Sequence, residues 1–285
     1  MQQFHSWFWS WLTIVLAMSS PSFGDDLQPP KEVKVLPVFF VAKGEASPTK
    51  QQTANLEKHI AWTQKRYKQM LKGRDTFALA AERPQVYVAE HDADYYRSQP
   101  EGAAPQMADE LLRHYKYNRY NCPLVFVAVF MNSREDFPVG GARPFNGGIN
   151  TGGGIVEVSS YGLDKCPNFQ STLQHELGHA FGLPHVDAYG YSMLANPSIM
   201  SYNPAHHTNG FKPSATPGDM IPEDIRALAL NRRVFPRLRF DSKNDVPQGY
   251  AMQKIVVLGP MEIPGHPVIP SVQRAIATLP TSPPK

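Results

Sequence analysis

Apolar residues along the chain fall into runs and stripes that mark its elements. Val33 to Val41 is almost unbroken β-branched and aromatic sequence between Pro30 and Gly44, too apolar for an edge, and predicts a buried strand. From Gln52 to Lys72, Leu56, Ile60, Trp62, Tyr67, Met70 and Leu71 recur among Lys, Arg and Gln at helical spacing, and the run ends at Gly73. Its basic outer side reads as a solvated face. Gln85 to Ala89 and Leu124 to Met131 predict two more strands, the second central, with a short amphipathic helix from Ala104 to Tyr117 between them. Val139 to Gly154 is a glycine-rich loop, and Ile155 to Ser159 alternates as a strand with two different faces.

Further on, Phe169, Leu173, Leu177 and Phe181 stand four apart, the stripe of a helix that starts near Asn168 or Ser171, with Gln174 placed to complete a capping box with Ser171. Pro222 to Arg232 predicts another helix, with Pro222 at its start. Strand and helix alternate, so the fold class is α+β or α/β, a twisted sheet backed by helices. Past Pro236 the text becomes Pro-rich, with one apolar run at Lys254 to Leu258, and it predicts a strand or arm and then a disordered tail.

The first 24 residues carry no Asp, Glu, Lys or Arg, and Trp7 to Met18 is apolar over a length that suits a signal-peptide core but not a membrane span. Ser22-Phe23-Gly24 resembles a cleavage site, which implies an exported chain, secreted or periplasmic. Membrane attachment follows only if the leader stays uncleaved, since His5 is its one basic-type residue. The organisation is then a signal peptide at 1–24, a short segment at 25–32, one catalytic domain at 33–240 and a Pro-rich extension at 241–285. A formal charge of +3 and the lack of a Lys/Arg stripe with interleaved aromatics weigh against nucleic acid as a partner. Two cysteines, Cys122 and Cys166, form an even pair, read first as a disulfide and otherwise as a free thiol that could cap a metal. Oligomeric state has no signature in the sequence.

The chemistry lies on the 169–181 helix, away from its apolar stripe. His175 and His179, four apart, stack on one face where both imidazoles reach one cation. Glu176 beside them is placed to hold the proton of a water that a metal activates. Gly182 lets the chain turn and bring round His185. Three nitrogen donors and an open position are the pattern of a catalytic Zn2+ site. His206 and His207, in a Pro/Gly/Asn-rich loop, read as rim or surface residues.

This HExxHxxGxxH run resembles the metzincin clan of zinc endopeptidases, and Ser198-Ile199-Met200-Ser201-Tyr202 resembles the clan's methionine turn. The resemblance spans roughly Val33 to Pro236. It implies a mixed sheet with an antiparallel edge strand above the cleft, Met200 as the floor beneath the histidines, and Tyr202 as the tyrosine that assists the oxyanion in astacins and serralysins. It also implies that a protein or peptide substrate adds to the edge strand, a role assigned here to Ile155, Val156 and Glu157. Val186 and Asp187 follow the third histidine where the clan's subfamilies carry Glu, Ser, Asp or Pro, so the subfamily stays open between astacin-like and matrixin-like. The function expected is a secreted zinc endopeptidase. The alternatives are a zinc-bearing binding or adhesion module without turnover and a hydrolase of short or cell-wall peptides.

Overall fold

A computed structural model describes residues 29–99, 102–131, 140–145, 152–207 and 218–252. The expected leader, the Lys254–Leu258 run and the Pro-rich end lie outside these residues, as does much of the glycine-rich loop. Strand β1, Lys34–Val41, is buried at every residue after Lys34, and the strand Leu124–Met131, β3, repeats that pattern. They pair in parallel from Lys34 opposite Leu124 to Val41 opposite Met131. On the outer side of β1 lies a parallel strand, β2, Gln85–Val88; β5, Gly154–Ser159, pairs in parallel with β3. A short antiparallel strand, β4, Gly140–Pro144, then closes the sheet, giving the order β2-β1-β3-β5-β4.

Because side chains alternate across a strand, this sheet carries two separate cores. Val35, Phe39 and Val41 join Val125, Val127 and Val129 on one face, while Leu36, Val38 and Phe40 join Phe126, Ala128 and Phe130 on the other. The first face is covered by α1, Lys50–Met70, α4, Ser160–Lys165, α5, Phe169–Ala180, and α6, Pro222–Leu230. The second is covered by α2, Ala93–Arg97, and α3, Ala104–Tyr115. Helix α1 begins two residues earlier than its apolar spacing predicts, because Thr49 and Gln52 cap it reciprocally. It ends at Met70, before the left-handed Lys72 and Gly73.

Tyr67 ties α1 to the helix that carries the site. Its ring packs against Phe77, Phe181 and Phe235 with centroids 5.6, 5.5 and 6.3 Å away, and its hydroxyl donates to the Gln174 carbonyl at 2.9 Å. Each such fully buried ring contributes about 1.5–3 kcal/mol, and the hydroxyl leaves no orphaned polar group. Past Pro236 the chain stays docked as far as it is described. Asp75 accepts from the backbone N–H groups of Arg237 and Leu238, and Arg74 grips the buried Asp245 of α7, Ser242–Asp245, with two bonds of 2.9 and 2.7 Å.

Two expectations need correction. Ile155, Val156 and Glu157 do not form an edge, since β5 is paired on both sides and all six of its residues are buried. The antiparallel edge is instead β4, hidden in sequence because its five residues include two glycines and a proline and lack strand periodicity. Nor do the cysteines pair. Cys122 and Cys166 are both free thiols, Cys122 packed into the core on the α3 face and Cys166 against the core on the α5 face. The sheet stands between them. Burial pushes the Cys122 thiol up to about 12, which makes it an inert core residue.

Glu157 gives the fold a pH dependence of definite sign. Burial raises its carboxyl to about 7, opposed by a backbone hydrogen bond from Ala104 and by Arg143. Because the folded value lies above the ordinary 4.5, the unfolded chain loses its proton first, so this residue's contribution is complete below pH 4.5 and lost as pH rises to 7. Glu157→Gln should therefore gain stability relative to the parent across that window, on the order of 3 kcal/mol. Denaturant melts of both metal-free proteins at pH 4.5 and pH 8 measure this; an unchanged difference between the two pH values would show that Glu157 ionises normally.

Candidate metal centre and active site

Helix α5 turns its apolar stripe, Phe169, Leu173 and Leu177, fully into the core. It ends in a Schellman pattern, Leu183 N–H to the Gly178 carbonyl and Gly182 N–H to the His179 carbonyl, both 2.9 Å, with Gly182 at φ +97°. This reversal does two things. It carries His185 back over the helix, and it places the Leu183 carbonyl 2.8 Å from His179 Nδ1.

The three Nε2 atoms converge, 3.1 Å apart for His175 and His179, 3.2 Å for His175 and His185, and 2.9 Å for His179 and His185. With Nδ1 of His175 donating to the Ile199 carbonyl at 2.7 Å and Nδ1 of His179 to that of Leu183, both Nε2 atoms are left as lone-pair acceptors. Burial drives His175 down to about 4 and His179 to about 3, so both rings are neutral near pH 7. Acceptors brought this close repel one another unless a cation lies among them, so the donor set fits a metal ion. Neutral imidazole nitrogen suits zinc, as it does copper, iron and nickel.

Beneath the histidines, Met200 is fully buried against α5. A Cβ on Gly178 would stand 2.4 Å from Met200 Sδ, so the helix and the turn approach closely only because position 178 is glycine. The turn is fastened from α6. Ser198 Oγ donates to Asp224 at 2.6 Å and accepts from Met200 N–H at 2.9 Å, while Ile221 N–H donates to the same carboxylate at 3.2 Å.

Glu176 sits where β4 crosses α5. A Cβ on Gly140 would lie 2.8 Å from Thr172 Cγ2 and 3.4 Å from Glu176 Oε1, so the edge strand passes just over the carboxylate. Burial, reinforced by the charge of Glu157, raises Glu176 to about 7. Tyr202 is 53% exposed at the mouth, its hydroxyl 2.9 Å from His185 Nε2. Burial and then Glu176 push its phenol up. His206 and His207, expected at the rim, do line the cavity that opens beside His175 and Glu176. Trp62 and Arg66 line it too. Arg66 belongs to the basic face of α1 read as merely solvated and Trp62 to the apolar spacing of that helix, and no local pattern sends either to the cleft, because only packing of α1 on α5 brings them there.

No protein-family model matches the chain. An archaemetzincin from Nanoarchaeum equitans is 33% identical over 94 residues, which is 32% of this chain and 51% of that one. Over that stretch the chain is similar to an archaemetzincin. It spans about half the length of the curated relative it matches. Among solved structures, OgpA from Akkermansia muciniphila is similar at a TM-score of 0.46 and 17% identity, covering 78% of this chain and 66% of that one. An archaemetzincin from Methanopyrus kandleri is similar at a TM-score of 0.35 and 17% identity, covering 69% and 94%. At those scores neither carries an inference about substrate or mechanism.

Proposed function

We propose that the chain is a zinc metallopeptidase that cleaves internal bonds of extended polypeptides. The observation that carries this reading is the convergence of three Nε2 atoms beside a half-buried carboxylate, under a sheet edge that is open on its outer side among the described residues. His175, His179 and His185 would hold the metal. Bound there, zinc supplies Lewis acidity, polarising the scissile carbonyl and making water a competent nucleophile near neutral pH.

The chain's own residues would do the rest. Strand β4 offers N–H and C=O groups to an extended peptide, which would lie across α5 as an added strand. Glu176 would take the proton of the attacking water and hand it to the leaving amine; its raised pKa matches a proton carrier near neutrality. Tyr202 would turn its hydroxyl from His185 to the developing oxyanion, adding one donor where charge appears. A merely structural zinc has no use for a general base at this position, which sets the binding-module alternative behind the enzyme.

Purified protein loaded with zinc is expected to cleave casein or gelatin, to lose that activity to a chelator and to regain it when zinc is restored. Failure to cleave any unstructured protein at any metal loading would overturn the reading.

A further inference from the structure

Resting on the peptidase reading, we infer that the cavity beside the three histidines selects substrates bearing an acidic side chain next to the scissile bond, with Arg66 as the counter-charge. The cavity, about 140 Å³, far exceeds the ~10–15 Å³ that admits one water. It has room for one long side chain. His175, Glu176 and Tyr202 stand on its wall, so a group entering it is attached close to the reacting carbonyl. From α1, Trp62 and Arg66 contribute another wall, one helical turn apart.

Charge decides what fits. Of the described residues that line the cavity, Arg66 is the only Lys or Arg and Glu176 the only Asp or Glu. Arg66 donates to the Gly218 carbonyl and to Gln69 Oε1, both at 3.0 Å, and neither acceptor is charged. Its guanidinium has five N–H donors and stays protonated at any working pH, so donors remain for a ligand. The Asp219 carboxylate, next in sequence to Gly218, acts on this charge, but among the described residues it forms no ion pair with Arg66, and one of its oxygens accepts from the Met220 N–H at 2.8 Å. A half-buried cation held mainly by neutral groups is costly until a carboxylate pairs with it. An apolar or aromatic side chain would cover Trp62 but bury the cation further without a partner, and a basic side chain would be repelled.

Peptides that differ only by Glu against Gln, or Asp against Asn, beside the cleaved bond provide the test, with the ratio of kcat/KM within each pair as the readout. That ratio is insensitive to how much of a variant is folded. The parent should prefer the acidic member about tenfold to a hundredfold. Arg66→Gln should bring the ratio near one, Arg66→Lys should keep a reduced preference, and Arg66→Glu should turn the preference to Lys or Arg peptides. Equal ratios in parent and Arg66→Gln would overturn the inference. If no peptide is cleaved, the peptidase reading falls, and the cavity is judged by fluorescence anisotropy of the same labelled pairs on the zinc-loaded Glu176→Gln protein. Tighter binding of the acidic member then upholds the inference, and equal binding of both overturns it.

Discussion

Glu176→Gln is expected to reduce peptide cleavage by at least 10²- to 10⁴-fold, the usual cost of losing acid–base catalysis, while zinc content stays at the parent level. The amide has nearly the shape of the carboxylate, so the contacts that β4 makes through Gly140 and Thr172 survive the change. None of the three converging Nε2 atoms belongs to this residue. What disappears is the ability to accept a proton. The amide also removes the charge that burial and Glu157 act against, so the folded protein should be no less stable than the parent at pH 8. Cleavage rate, elemental zinc content and a thermal melt of the same sample check all three parts. Turnover equal to that of the parent would remove Glu176 from the chemistry and bring the binding-module alternative forward.

His179→Ala is expected to abolish stoichiometric zinc binding at neutral pH, and activity with it. The substitution leaves two of the three converging nitrogens, His175 and His185, 3.2 Å apart. His179 is also the ring whose orientation the helix ending itself determines, because its Nδ1 meets the Leu183 carbonyl that the turn at Gly182 delivers. Losing an outer hydrogen bond of this kind costs metal affinity roughly 10- to 100-fold by itself, and losing the ligand removes more. Competition against a zinc chelator, with elemental analysis after desalting, measures the change. An alanine variant that holds zinc as tightly as the parent would show that the metal, if bound, lies elsewhere.

The apolar runs of β1 and β3 were legible because a strand buried on both faces has to be apolar throughout, whatever packs on it. The stripe of α5 and its two histidines were legible because spacing along a helix is spacing in space, and His185 because Gly182 marks the turn that brings it round. Strand β4 was not legible. Gly140 is dictated by the closeness of Thr172 and Glu176, residues more than thirty positions away, and not by strand propensity. Cys122 and Cys166 misled for a related reason, since an even count constrains pairing only when the fold brings the two thiols to the same side of the sheet.

By itself, then, the sequence determined the local chemistry of this protein: which rings can share a cation, which carboxylate stands beside them, and where glycine must turn the chain. These follow from helical periodicity and from the stereochemistry of single residues. Only the tertiary structure decided which strand is the open edge, that Asp224 of α6 holds the turn beneath the histidines through Ser198, and that Trp62 and Arg66 of α1 face the cleft. Each of those is a contact between distant segments, and the fit of one packed surface against another leaves no periodic mark on either segment alone.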